Sequence, residues 1–124
     1  MRRSVLLAAL VFVFPMKADA KSEWHLGKWD PGVHNVKNAI YYEFCGHRYR
    51  YCELGDEAVR VSFCETGGTF NIWAGVGRHD YWGLFQMGHR ERALYGYGNN
   101  PWQQAAGAKR YYDLARWGPW TCQP

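Results

Sequence analysis

All four cysteines of this chain, Cys45, Cys52, Cys64 and Cys122, follow a leader that reads as an export signal, and that combination constrains the fold most tightly. Residues 1–20 form the leader: Arg2 and Arg3 are its charged start, Val5 to Phe14 its apolar core, and Ala18-Asp19-Ala20 its cleavage site. Ten apolar residues ended by Pro15 fall short of the ~20 that span a bilayer. Cleavage is therefore expected, with no stable membrane insertion afterwards and a secreted, extracytoplasmic protein as the product. An even cysteine count in an exported chain implies two disulfides. Nearness in sequence favours Cys45–Cys52, although four cysteines admit three connectivities. The competing use is a metal site from Cys45, His47, Cys52 and a further histidine. Neither Cys-x-x-Cys nor His-x-x-x-His spacing occurs, so no metal or other cofactor is expected.

Residues 21–124 make one domain's length, large enough for a core yet small enough to gain from covalent staples. The leader carries Arg2, Arg3, Lys17 and Asp19, a net +2 of the chain's +4, which leaves +2. That mild charge favours approach to an anionic envelope polymer and argues against a dedicated nucleic-acid binder, because no basic run of five or more exists. His47-Arg-Tyr-Arg-Tyr interleaves bases with aromatics, but its place between Cys45 and Cys52 reads as the exposed tip of a pinned loop.

Residues 58–68 hold the strongest chemical signal. An apolar helical run stops on Glu65 and is followed by Gly67-Gly68, which suit a left-handed C-cap; Asp56 and Glu57 stand where a helix N-terminus favours negative charge. The negative end of the helix dipole disfavours a carboxylate at Glu65 by about 0.3–1 kcal/mol. The same repulsion, with burial among the aromatics, raises its pKa and suits it to be a general acid.

Lys21 to Pro31 is polar and expected to be an ill-ordered lead-in. Val33, Val36, Ile40 and Phe44 are at helical spacing and predict a helix over 33–44 that packs its stripe as core. Residues 21–55 thus read as an extension with a helix and a small disulfide loop, and 56–124 as the catalytic domain. Thr69 to Trp82 mixes β-favouring residues with Gly75 and Gly77, as a small antiparallel sheet would. A short helix is expected over His89 to Tyr95, stopped by Gly96 and Gly98. Asn100-Pro101-Trp102-Gln103 is a helix start with N-cap, N1 proline and capping-box glutamine; Ala105, Ala108, Tyr112 and Ala115 mark the inner stripe. The predicted fold class is α+β, mainly helical around a small sheet.

Glu65-Thr-Gly-Gly68, followed by aromatic-Gly83-Leu-Phe-Gln-Met87, resembles the lysozyme-like lytic transglycosylases, with their pattern Glu-Ser-Gly…Gly-Leu-Met-Gln. Cys64 before the glutamate and the closing Trp117-Gly-Pro-Trp-Thr-Cys122 resemble most closely the resuscitation-promoting-factor branch. The likeness covers about residues 56–122. It implies a lysozyme-like fold, a Cys64–Cys122 disulfide, and peptidoglycan glycan strands as the partner, cleaved at the β-1,4 MurNAc–GlcNAc bond by a cell-wall-associated monomer. It makes Glu65 the catalytic acid and places Gln86 in the groove.

Glycosidic cleavage needs an acid for the leaving oxygen and a group that quenches the oxocarbenium-like centre. Asp80 is the nearest second carboxylate in sequence, and the position two after the glutamine, where related enzymes carry a base, is Gly88. A single glutamate suffices if the 6-hydroxyl of the muramoyl sugar attacks after Glu65 takes its proton. The resemblance implies this lytic transglycosylase reaction, with a 1,6-anhydro product; goose-type lysozymes of the same fold hydrolyse the bond instead, and the sequence leaves the outcome open. Gln86 either hydrogen-bonds the sugar or is an amide satisfied by backbone. Of Tyr81 and Trp82, one is expected to face the cleft and the other the core. Asn71 and Thr69 are further groove candidates, and Trp120 is either structural or sugar-binding. The alternatives of different class are a non-catalytic glycan-binding module and a disulfide-rich inhibitor or antimicrobial protein.

Overall fold

The computed structural model describes residues 31–124, so the predicted leader and most of the polar lead-in lie outside the described residues. Four helices follow one another: α1 (Pro31–Phe44), α2 (Glu53–Glu65), α3 (His89–Tyr95) and α4 (Pro101–Ala115). The periodic stripe of α1 buries Val36, Ile40 and Phe44 together with Ala39 and Tyr41. Helix α1 packs on both α2 and α4, while α3 lies against α4. One core joins Val36, Ile40 and Phe44 of α1 to Ala58 and Val61 of α2, Leu84, Phe85 and Met87 of the intervening turn, Ala105 and Ala108 of α4, and Trp117 and Trp120 near the C-terminus. The extension helix and the residues after 56 therefore share their interior.

Helix α2 begins before the acidic pair Asp56 and Glu57. Cys52 is its N-cap, and the Cys52 Sγ accepts the Gly55 N–H at 3.2 Å, which satisfies one of the four donors a helix start leaves open. Gly55 cannot carry a side chain, because a Cβ there would lie 2.5 Å from the Tyr41 ring and 2.7 Å from the Cys45 sulfur. At the other end the double glycine does what its sequence suggests. Gly67 and Gly68 take φ of 64° and 86°, and the Gly68 N–H closes on the Phe63 carbonyl at 2.7 Å. Helix α4 starts as predicted, with Pro101 at N1 and the Asn100 side chain accepting the Gln103 N–H at 2.9 Å.

Both disulfides are formed, Cys45–Cys52 and Cys64–Cys122, with sequence separations of 7 and 58. The predicted small antiparallel sheet is a correction: among the described residues no strand forms, and the only pairing is a single antiparallel bridge between Trp82 and Met87. The chain over 71–79 turns too often to run extended. Ala74 N–H bonds to Asn71, Val76 to Trp73 and Arg78 to Gly75, with Gly75 and Gly77 at positive φ. Backbone groups spent on such local turns are not free for a ladder. The architecture is mainly helical, stapled by two disulfides.

Side chains from four different segments hold the buried Gly83–Met87 turn in place of a sheet. Ser62 of α2 donates to the Leu84 carbonyl at 2.9 Å, and Gln104 of α4 accepts the Leu84 N–H at 2.8 Å. The Tyr97 hydroxyl accepts from the Phe85 N–H at 3.0 Å, and the Trp120 indole donates to the Phe85 carbonyl at 2.8 Å. Gln104 also donates to the Ile72 and Gly98 carbonyls. A turn buried this deeply needs such partners, since each unpaired backbone group costs about 1–3 kcal/mol.

Candidate active site

Glu65 is the last residue of α2 and is half-buried. Its Oε1 accepts the Cys122 N–H at 3.0 Å, so the C-terminal segment held by the Cys64–Cys122 disulfide also orients the carboxylate. Burial raises the Glu65 pKa above the ordinary carboxylate range; the backbone N–H groups of Cys122 and Thr121 oppose this without cancelling it. A carboxyl whose pKa is raised by burial and whose position is fixed by a backbone donor is suited to act as a general acid.

Glu65 opens onto a cleft of about 360 Å³, shared with Tyr81, Gln86, Glu91, Tyr111 and Trp120 among its lining. Four parts of the chain meet there: the end of α2, the 81–91 segment leading into α3, Tyr111 of α4, and the C-terminal turn. Tyr81 is exposed on the cleft wall. Trp82 points elsewhere, stacked on Trp73 at 5.8 Å with the Arg92 guanidinium over its ring. Gln86 has its amide satisfied by backbone, one of the two readings its sequence allows. Its amide nitrogen donates to the Ala74 and Gly83 carbonyls at 2.8 and 3.0 Å, and the residue also lines the cleft. Trp120 is buried and bonded to the Phe85 carbonyl, as its structural reading requires, and is also part of the cleft lining.

Besides Trp82, three of the expected site residues lie outside this lining. Asp80 accepts the His89 N–H at 2.9 Å and pairs with Arg92 at 3.6 Å, which ties the start of α3 to the preceding loop. The His89 N–H and the Arg92 charge hold the Asp80 pKa below its ordinary value. Asn71 accepts the Trp73 N–H in a local turn, and Thr69 donates to the Thr66 carbonyl while accepting the Asn71 N–H. All three are occupied by backbone.

Sequence reasoning missed Glu91 and Tyr111. Helix α3 is seven residues long and buries none of them, so Glu91 reads as one more solvated charge. Only the turn that brings α3 beside the end of α2 places it in the cleft. Tyr111 lies next to the Tyr112 of the predicted stripe, and its hydroxyl pKa is raised by burial and by the nearby Glu91 carboxylate. Among the described residues no cluster of three or more His, Cys, Asp or Glu is placed to hold a metal, and no helix is long and apolar enough to cross a membrane. No protein-family model, curated protein sequence or solved structure matches this chain.

Proposed function

We propose that this protein is an exported glycosidase that cleaves the β-1,4 MurNAc–GlcNAc bond of peptidoglycan, with Glu65 donating the proton to the leaving oxygen. The observation that carries this reading is a half-buried glutamate of raised pKa, anchored by the Cys122 N–H, on the wall of an open cleft. Tyr81 offers an aromatic face to a sugar ring and Gln86 an acceptor to an N-acetyl N–H or hydroxyl. The lysozyme-like motif order supplies the substrate class. Two disulfides suit the oxidising exterior in which such a polymer is met.

After protonation the glycosyl centre can be captured in two ways. Capture by the muramoyl 6-hydroxyl, with Glu65 as base, is the transglycosylase course that the motifs suggest. Capture by water is the muramidase course, and one observation favours it: Glu91 shares the cleft with Glu65. The deciding experiment is mass spectrometry of muropeptides released from purified peptidoglycan by the oxidised protein, beside Glu65→Gln. Release that vanishes in the variant supports the enzyme. Glycan binding without release by either protein would instead leave a non-catalytic binding module.

A further inference from the structure

We propose that Glu91 is the general base of this cleft, activating a water molecule against the anomeric carbon, so that the reaction is a hydrolysis with inversion. The proposal rests on the glycosidase reading and adds the residue that determines the product. Glu91 and Glu65 line one cavity from two separate elements, the first turn of α3 and the last turn of α2. The missing side chain at Gly88 makes room for the Glu91 carboxylate, since a Cβ there would lie 2.9 Å from Glu91 Oε1 and 3.0 Å from the Tyr81 ring. Asp80, the other acid of this segment, is committed to the His89 N–H and Arg92, whereas Glu91 has no ion pair or hydrogen bond among the described residues. The two acids line one open cavity with no hydrogen bond between them among the described residues, and an inverting enzyme needs such a cavity to admit a water between its acid and its base.

In this course the Glu65 proton passes to the glycosidic oxygen and the bond from that oxygen to the anomeric carbon breaks. Water forms the new bond from the opposite face and gives its proton to Glu91. The products are a reducing end and a free 4-hydroxyl, with Glu65 ionised and Glu91 protonated. Exchange with solvent restores both.

The test is digestion of purified peptidoglycan by the oxidised full chain in ¹⁸O-labelled water, with the anomer of the fresh product read by NMR. The wild type is expected to give reducing ends carrying one ¹⁸O in the inverted configuration. Glu91→Gln is expected to be slower by at least about 100-fold with the melting temperature retained. Azide should restore turnover to Glu91→Ala as the inverted glycosyl azide, a rescue that a merely structural role would not permit. Gly88→Ala, whose φ of −77° any residue accepts, should slow hydrolysis by displacing Glu91. Anhydro ends, a first product of retained configuration, or a Glu91→Gln rate within about threefold of wild type would each overturn the role of Glu91 while the glycosidase reading stands. No release by the wild type would remove both.

Discussion

The two ends of α2 are each held by a cysteine, and they use it differently. At the N-terminus, Cys52 caps the helix and pairs with Cys45 only seven residues away, closing a loop whose His47, Arg48, Tyr49, Arg50 and Tyr51 are exposed. At the C-terminus, Cys64 pairs with Cys122 across 58 residues and brings the Cys122 N–H to the Glu65 carboxylate. On the chain-entropy model the short loop is worth about 2.4 kcal/mol and the long one about 4.2 kcal/mol. The N-terminal bridge is thus local and structural, and the C-terminal one couples the stability of the domain to the geometry of its acid.

Four outcomes test that contrast. The largest is Glu65→Gln, expected to lower muropeptide release by at least about 1,000-fold with the circular dichroism of the folded chain unchanged. Replacing Cys64 and Cys122 together by serine should cost about 4 kcal/mol in chemical denaturation and also slow cleavage under conditions where the protein stays folded, because the tie behind Glu65 is loosened. The same exchange at Cys45 and Cys52 should cost about 2.4 kcal/mol and leave the folded protein's turnover within about twofold of wild type. A turnover loss there as large as at the other end would erase the distinction.

The smallest effect is a pH dependence. Burial raises the Glu65 pKa in the folded state, so the folded chain binds that proton more tightly than the unfolded one. Its contribution to stability is full below the unfolded carboxylate pKa and is lost as pH rises through the raised folded value. Glu65→Gln should therefore match wild type in melting at acid pH and exceed it at neutral pH. Turnover of the wild type should fall as pH rises through the same folded value, since the acid loses its proton. A stability gap that does not change with pH would show that Glu65 is not desolvated.

Local signals made the helices legible. The stripe of Val36, Ile40 and Phe44, the Asn100-Pro101 start and the Gly67-Gly68 stop all act within a turn or two of themselves, and each is found at its expected place. The start of α2 was not legible from its acids, because the cap is a disulfide sulfur rather than one of the usual oxygen caps. The sheet misled for a related reason. Residues such as Ile72, Trp73 and Val76 favour strands, but Gly75 and Gly77 at positive φ fold the backbone onto itself before a partner is reached. In the site, Glu65 is marked by its place against a helix dipole, whereas Gln86 is pointed to by the family resemblance alone and the sequence leaves open which of Tyr81 and Trp82 faces the cleft. Asp80, Asn71 and Thr69 carried the same polar signal and were claimed by nearby backbone instead.

Taken alone, the sequence determined the four helices, an acid at the end of one of them and the short-range disulfide, since each depends on residues a few positions apart. Which second carboxylate shares the cleft was decided by tertiary structure. Asp80 is fifteen residues from Glu65 and turns to the backbone of α3, while Glu91, further along the chain, is brought into the cleft. That choice depends on how Ser62, Gln104, Tyr97 and Trp120 fix the buried turn between the two helices, and no local pattern in the chain encodes four partners converging from such different positions.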